Sequence, residues 1–408
     1  MATFNLKTVA ALLFLILSGC ATYQTKVNDA RNAIASENPE QAVALLKPLA
    51  EEESRDQLVY LLDYATALQQ ARKFKESAQA YQKAAQIAEV QDYYSVSKIT
   101  ASLVLTEEMA QYKGDDYEKV LINAMNAVNY LEMGNLDEAL VEVKQLNLKL
   151  YKYRTEAKKN YEQNPYAYYL GAMIWEAQRS FDDAYIAYKN VYDIDPNYGP
   201  IKADLLRSAR LAQRPDELSK WQKQFGESAP SVDLKNSGEV VLIFEQGWGP
   251  RKESRPENRR FPQLKPVYAR TQRAKLEVAN QSATTNEIFS VERVAIKTLN
   301  DDYARLVGSR VAGIGAKAVL ADQVRQKNEL LGAVAWIALN ATDRADVRQW
   351  STLPESFQIA RMTLKPGKYK VKAIGLDAYG SESGEQMPER EIEVRAGKKV
   401  FVSWRSVR

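Results

Sequence analysis

Paired carboxylates are the one constellation in this chain that could break a covalent bond unaided. Two acids can run glycoside hydrolysis without histidine, and the doublets Glu107-Glu108, Asp115-Asp116, Asp182-Asp183 and Asp301-Asp302 are the candidates. Adjacent helical residues diverge by about 100°, so such doublets do not converge on one bond, and solvated faces account for them. Histidine is absent from all 408 residues, which removes Ser-His-Asp and Cys-His nucleophilic arrangements. Cys20 is the only cysteine, so zinc sites built from Cys and His are excluded too. Gly308 to Gly315 (GSRVAGIG) has the glycines of a phosphate loop, but no Gly-Lys-Ser/Thr follows. It reads as a place where a helix packs closely. No catalytic residue, cofactor or metal is expected.

Two polar stretches are suited to binding rather than reaction. Residues 247–266 (GWGPRKESRPENRRFPQLKP) carry six cations against two anions, an excess of +4 that equals the net charge of the whole chain. Four prolines and two glycines lead us to expect a loop throughout. Arg251, Arg255, Arg259 and Arg260 could hold an acidic polymer, lipid headgroups or an acidic partner; a merely solvated loop is the simpler reading. The second stretch, Asp343 to Pro354, alternates carboxylates and guanidiniums around Arg344, Arg348 and Trp350. It reads as an ion-paired connector in which Trp350 and Leu353-Pro354 pin a turn onto a sheet. A docking edge for a partner is the alternative.

These residues need a scaffold, and the first half of the chain supplies a periodic one. Leu61, Ala65, Leu68, Phe74, Ser77, Tyr81 and Ala84 resemble a tetratricopeptide (TPR) hairpin, with Ala65 and Ser77 as the tight contact between its two helices. Tyr168, Ala172, Trp175, Phe181, Ala184, Tyr188, Val191 and Pro196 form the clearest copy, and Tyr168 and Trp175 are its candidate partner contacts. Pro39-Ala42-Leu46-Leu49 and Tyr130 to Leu146 are weaker copies. The small-residue anchors Ala42, Ser77, Ala139 and Ala184 lie 35, 62 and 45 residues apart. The long interval suggests a degenerate helix pair within 93–112, and residues 198–227 suit a terminal capping pair. Stacked repeats of this kind bury a shared core and present a concave binding face.

Beyond a turn-rich linker at 228–237 the pattern changes. Glu239 to Phe244 (EVVLIF) is aliphatic without alternation, a buried strand. A helical stretch is expected from Glu287 to about Ala341, including the apolar run Leu330 to Asn340. Strands follow at 357–364, 368–374 and 391–404, with Lys365-Pro366-Gly367 as a hairpin turn. The fold class is therefore mostly α: a TPR-like α-solenoid over 28–227, then an α+β domain with an antiparallel sheet over 238–408.

The amino end supplies an address. Lys7, the apolar run Val9 to Leu17, and Leu17-Ser18-Gly19-Cys20 resemble a signal peptide (1–19) ending in the lipobox of bacterial lipoproteins. The resemblance implies cleavage before Cys20, acylation of that cysteine and export. Ala21 rather than aspartate follows, which by analogy implies the outer membrane, facing the periplasm. Residues 20–27 would then be the lipidated cysteine and its tether, the seven residues after it reaching about 25 Å. Lipobox, repeats, the loop after EVVLIF and the 343–354 cluster together resemble a family of TPR-type bacterial outer-membrane lipoproteins. That family carries no biochemical assignment to transfer; the repeats and the anchor themselves read as a non-catalytic protein-interaction scaffold in envelope assembly or regulation. Its partners would be the membrane through lipid and an envelope protein or peptide, with peptidoglycan a further candidate and nucleic acid excluded by the address. A histidine-free peptidoglycan hydrolase or lyase, or a binder of anionic glycan or lipid, is the alternative.

Overall fold

The computed structural model describes residues 23–97, 111–155, 164–230, 233–304, 306–308, 322–323, 325–326 and 344–408. The lipobox with Cys20, Glu107-Glu108, Ser309 to Gly315, the run Leu330 to Asn340 and most of the expected helix pair at 93–112 lie outside them.

Ten described helices form five consecutive pairs. They are α1 (Tyr23–Ala35) with α2 (Pro39–Glu51), α3 (Gln57–Gln70) with α4 (Phe74–Ser97), α5 (Asp116–Glu132) with α6 (Leu136–Thr155), α7 (Pro165–Ala177) with α8 (Phe181–Ile194), and α9 (Ile201–Leu211) with α10 (Pro215–Phe225). Three residues join the two helices of every pair. The middle one is left-handed each time: Glu37 (φ 61°), Arg72 (61°), Gly134 (75°), Arg179 (64°) and Gln213 (54°). Its N–H and the next bond back to the last turn of the first helix, as in Arg72 N to Gln69 O and Lys73 N to Leu68 O, both 2.9 Å. These bonds satisfy carbonyls that a helix end leaves open. One turn geometry therefore recurs five times on five different sequences.

The anchors fall in register with those turns. Ala42, Ser77, Ala139 and Ala184 are each the fourth residue of a second helix, and all four are fully buried. A small side chain there lets the paired helices close, and Ser77 also donates to the Ala65 carbonyl at 2.7 Å. The long interval after Ser77 begins with α4 itself, which runs unbroken through Tyr93 to Ser97 and packs against α5. α1 begins at Tyr23, inside the stretch expected to be tether. Its apolar residues Val27, Ala30 and Ile34 lie in the core, which draws the helix back toward Cys20.

The C-terminal half is α+β, built on two stacked sheets. In the first, β1 (Gly238–Gln246) pairs in parallel with β11 (Lys399–Arg405) and antiparallel with β7 (Ser356–Leu364), beyond which lies β6 (Asn286–Ser290). The second runs β10 (Arg390–Val394), β8 (Gly367–Leu376), β4 (Arg273–Val278), β5 (Gln281–Thr284), with β9 (Glu382–Gln386) also on β8. Val240, Leu242 and Phe244 of β1 face the second sheet, while Val241 and Ile243 face the helices. Burial on both faces explains why EVVLIF shows no alternation.

Four expectations are corrected here. Residues 247–266 are not loop throughout, because β2 (Arg251–Ser254) and β3 (Pro262–Lys265) pair as a ribbon. The prolines sit where strands tolerate them: before β2, in the connection, at the first residue of β3 and just after it. Glu287 to Ser290 is strand, and helix α11 (Val291–Asp301) starts only after it, capped by Ser290. Lys365-Pro366-Gly367 joins strands of different sheets, so it is no hairpin turn. The stretch 391–404 is two strands, parted by a turn with Gly397 at φ 65°.

Candidate functional site

The first helices of the middle pairs are buried almost all round. One side of α3, α5 and α7 packs on the second helices. The other side carries Asp63, Thr66, Gln69, Glu118, Tyr169 and Glu176, which are also buried. Buried polar groups require partners, and the C-terminal module provides them. The inner face of the stack, the expected concave binding face, is thus covered by the chain's own second half.

Residues 344–355 form the wedge. Trp350, 2% exposed, stacks obliquely on Tyr81 with ring centroids 5.6 Å apart. Its indole N–H donates to Thr66 Oγ1 at 2.9 Å and its backbone N–H to Glu118 Oε1 at 2.7 Å. The Asp63 carboxylate accepts from Thr352 N at 2.9 Å, from Thr352 Oγ1 at 2.8 Å and from the Tyr23 hydroxyl. Burial still outweighs these bonds and holds the Asp63 carboxyl up at about 6. Burial, reinforced by Asp115, raises Glu118 to about 7. Arg348 bonds Asp56 at 2.7 Å and Asp346 at 2.6 Å and lies over the Tyr112 ring. From the β2–β3 ribbon, buried Lys252 reaches Asp115 at 2.8 Å.

A second node ties the sheet to the later repeats. Arg361 of β7 meets Glu239 at 2.6 Å, Asp204 at 2.9 Å and Glu176 at 3.0 Å. Lys399 and Arg207 each also reach Glu176 at 2.9 Å. Three cations (Arg207, Arg361, Lys399) thus neutralise three carboxylates (Glu176, Asp204, Glu239). Burial would raise Glu176, but Arg207, Lys399 and Arg361 outweigh it and hold the group well below the usual range. Between the two nodes Tyr166 stacks on Phe357 at 4.5 Å, and Glu132 accepts from Arg390 at 2.8 Å and Ser403 Oγ at 2.6 Å.

The residues singled out by sequence separate into three groups. Arg348 and Trp350 are buried and bonded within the chain, and the surface they pin is the helices rather than the sheet. Arg251 bonds Asn28 at 2.9 Å, Arg255 lies over the Tyr303 ring at 4.4 Å, and Arg259 is exposed while its carbonyl accepts from Ala345 N at 3.0 Å. Arg260 is half-buried on the same ribbon, Arg344 is exposed beside it, and both have partners within the chain. Tyr168 and Trp175 share one face of α7, half-buried, with Lys144 of α6 over the Trp175 ring at 4.7 Å. The described doublets have ordinary ion-pair or capping roles: Asp115 with Lys252, Asp182 with Arg214 at 2.6 Å, Asp301 with Lys297 at 2.6 Å.

Asp63, Glu118, Glu176, Glu239, Arg361 and Lys399 escaped the sequence reading. The available signal was a lone charge inside an apolar run, as in QLVYLLDYATALQQ, AMIWEA and FQIARMTL. Two C-terminal carboxylates, Glu245 and Glu385, do border one cleft of about 280 Å³. The oxygens of Glu385 accept from Thr271, Ser406, Val407 N and Arg408 N, and Glu245 is buried facing Arg405 at 3.6 Å. Both carboxylates are thereby engaged in holding the fold. Among the described residues no group of three or more Asp, Glu or Cys is placed to hold a metal, and no helix is long and apolar enough to cross a membrane.

No protein-family model matches the chain, and no curated protein matches it. Among solved structures it is similar to MamA from Desulfovibrio magneticus RS-1 at 15% identity, over 50% of this chain and 90% of that one, TM-score 0.32. It is also similar to the TPR-like repeats of a putative kinesin light chain from Podosopora anserina (15% identity, 50% and 97%, TM-score 0.33). A third is the TPR2AB domain of yeast Sti1 in complex with pHSP90 (11% identity, 50% and 77%, TM-score 0.24). The repeat architecture rests on the five recurrent turns, not on these likenesses.

Proposed function

We propose that this chain is a lipid-anchored, non-catalytic scaffold of the bacterial cell envelope that binds a protein or peptide on the outer row of its repeats. One observation carries the binding surface. Among the described residues seven large hydrophobics are exposed, and five lie on second helices: Leu45 on α2, Val141, Leu148 and Tyr151 on α6, and Ile186 on α8. On α6 the positions 141, 144, 148 and 151 fall within a stripe of roughly 80°. Lys144 in that stripe covers Trp175, and Tyr168 is seven residues earlier on the same face of α7. Apolar side chains left in water along one helical stripe mark a partner site, and an amphipathic partner segment suits such a stripe.

The anchor is Cys20 in this reading, at the outer membrane and facing the periplasm. With α1 starting at Tyr23, three residue steps of about 3.5 Å hold the repeats within roughly 10 Å of the lipid. Two or more acyl chains hold a protein stably at a bilayer. Two experiments test the parts separately. An alkyne fatty acid fed to cells should label the protein through Cys20 and fail to label Cys20→Ala; equal labelling of both would refute the anchor. A photo-crosslinker at Tyr151 or Ile186 should capture a defined envelope protein in living cells. Capture no greater than from a crosslinker at exposed Ala378 would refute the surface.

A further inference from the structure

Asn28, Arg31 and Asn32 stand at i, i+3 and i+4 on one face of α1 and, with Trp248, Arg251 and Val267, line an open cleft of about 350 Å³. No carboxylate lines it among the described residues. Arg31 is held there by its face, the guanidinium 4.6 Å from the centroid of Trp248. The ring is itself fixed, its N–H donating to the Val407 carbonyl at 2.9 Å. The Arg31 side chain makes no hydrogen bond or ion pair with a described residue. Among the described residues the Arg251 guanidinium bonds the neutral Asn28 Oδ1, at 2.9 Å. Asp63 is the one carboxylate whose charge is felt at Arg31, and its oxygens are taken up under the wedge by Thr352 and the Tyr23 hydroxyl.

Two guanidiniums facing one cleft without a carboxylate repel each other, and burial followed by the charge of Arg251 lowers Arg31 to about 10. A guanidinium presents a planar fork of donors that suits phosphate oxygens two at a time, and two asparagine amides stand alongside. We infer that this cleft is a binding site for a phosphoryl anion, gripped by Arg31 and Arg251 with Asn28 and Asn32 beside it. The phosphate could belong to a lipid headgroup or to a soluble ligand. The site is independent of the anchor and of the apolar strip, since its residues belong to neither.

The test uses the full chain carrying Cys20→Ala, so that attachment through lipid does not enter. Binding is measured by calorimetry with inorganic phosphate and by co-sedimentation with vesicles of phosphatidylglycerol against phosphatidylcholine. Saturable phosphate binding, or retention on phosphatidylglycerol over phosphatidylcholine, is expected. Arg31→Gln and Arg251→Gln should each weaken it about tenfold or more, the worth of a charge-assisted hydrogen bond. Asn32→Asp, at an exposed position that leaves both arginines intact, should abolish it without lowering the melting temperature. Retention on phosphatidylglycerol alone identifies a headgroup, and phosphate binding alone a soluble ligand. Binding to neither, or binding unchanged in Arg31→Gln and Asn32→Asp, would overturn the inference.

Discussion

At the scale of residues, a few buried polar contacts decide how the halves meet. Trp350 fills a slot made by Tyr81 and Thr66, so Trp350→Ala leaves both a cavity and an unpaired hydroxyl. A loss of about 3–5 kcal/mol is expected in denaturant titrations; a loss below 1 kcal/mol, about that of an exposed substitution, would contradict the wedge. The acids give a pH signature. Asp63 and Glu118 are raised from 3.8 and 4.5 to about 6 and 7. Each binds its proton more tightly folded than unfolded, so their contribution is complete below about pH 4 and is lost as pH rises through 6 to 7. Glu239 runs the other way: burial opposes ionisation, but Arg361 and Lys399 hold it down at about 2. Its contribution is present above about pH 4.5 and disappears on acidification toward 2. Glu118→Gln should therefore flatten the decline in stability between pH 4.5 and 7, and an unaltered slope would remove Glu118 from the account. The sequence showed the Arg348–Trp350 cluster as a pin but misplaced what it pins. Thr66 is 284 residues away, and periodicity reports a local face without saying which distant surface meets it.

At the scale of elements, the repeats were legible through their tight contacts and obscure through their turns. Ala65, Ser77, Ala139 and Ala184 carry the helix-pair signal, because only small residues let two backbones approach. The turns hid because four of the five left-handed positions are Glu37, Arg72, Arg179 and Gln213, where glycine would be the usual marker. That choice has an energetic consequence. Gln213 is exposed and bound only through its backbone, so Gln213→Gly should stabilise the last pair by about 0.5–1 kcal/mol, and Gly134→Ala should destabilise the third by about 1 kcal/mol. A destabilised Gln213→Gly or a stabilised Gly134→Ala in thermal unfolding would contradict a shared turn geometry. The β2–β3 ribbon was illegible for a related reason. Prolines that forbid a central strand are harmless at strand ends and on an edge, and nothing local distinguishes the two cases.

At the scale of the whole molecule, the five pairs and the two sheets are one folded unit. The Arg361 node spans α7, α9, β1, β7 and β11, and reaches α8 through the Tyr188 hydroxyl, which accepts from Arg361 at 2.9 Å, so its loss should be felt in both halves. Arg361→Met strands three buried carboxylates on two cations, and a cost of about 3–5 kcal/mol is expected, with both halves melting together. Retention of a native melting temperature would show that the node is dispensable. Fold class and repeat character followed from the residues. The closure of the inner face did not, because it depends on pairings across most of the chain. The central claim is that the module sits on the first helices in cis, leaving the second helices for partners. Hydrogen exchange of the intact chain against Trp350→Ala tests it most directly. Loss of protection should spread from 344–355 into α3 and α5, while the outer helices α2 and α10 keep theirs. Loss confined to 344–355, with α3 and α5 unchanged, would contradict the account.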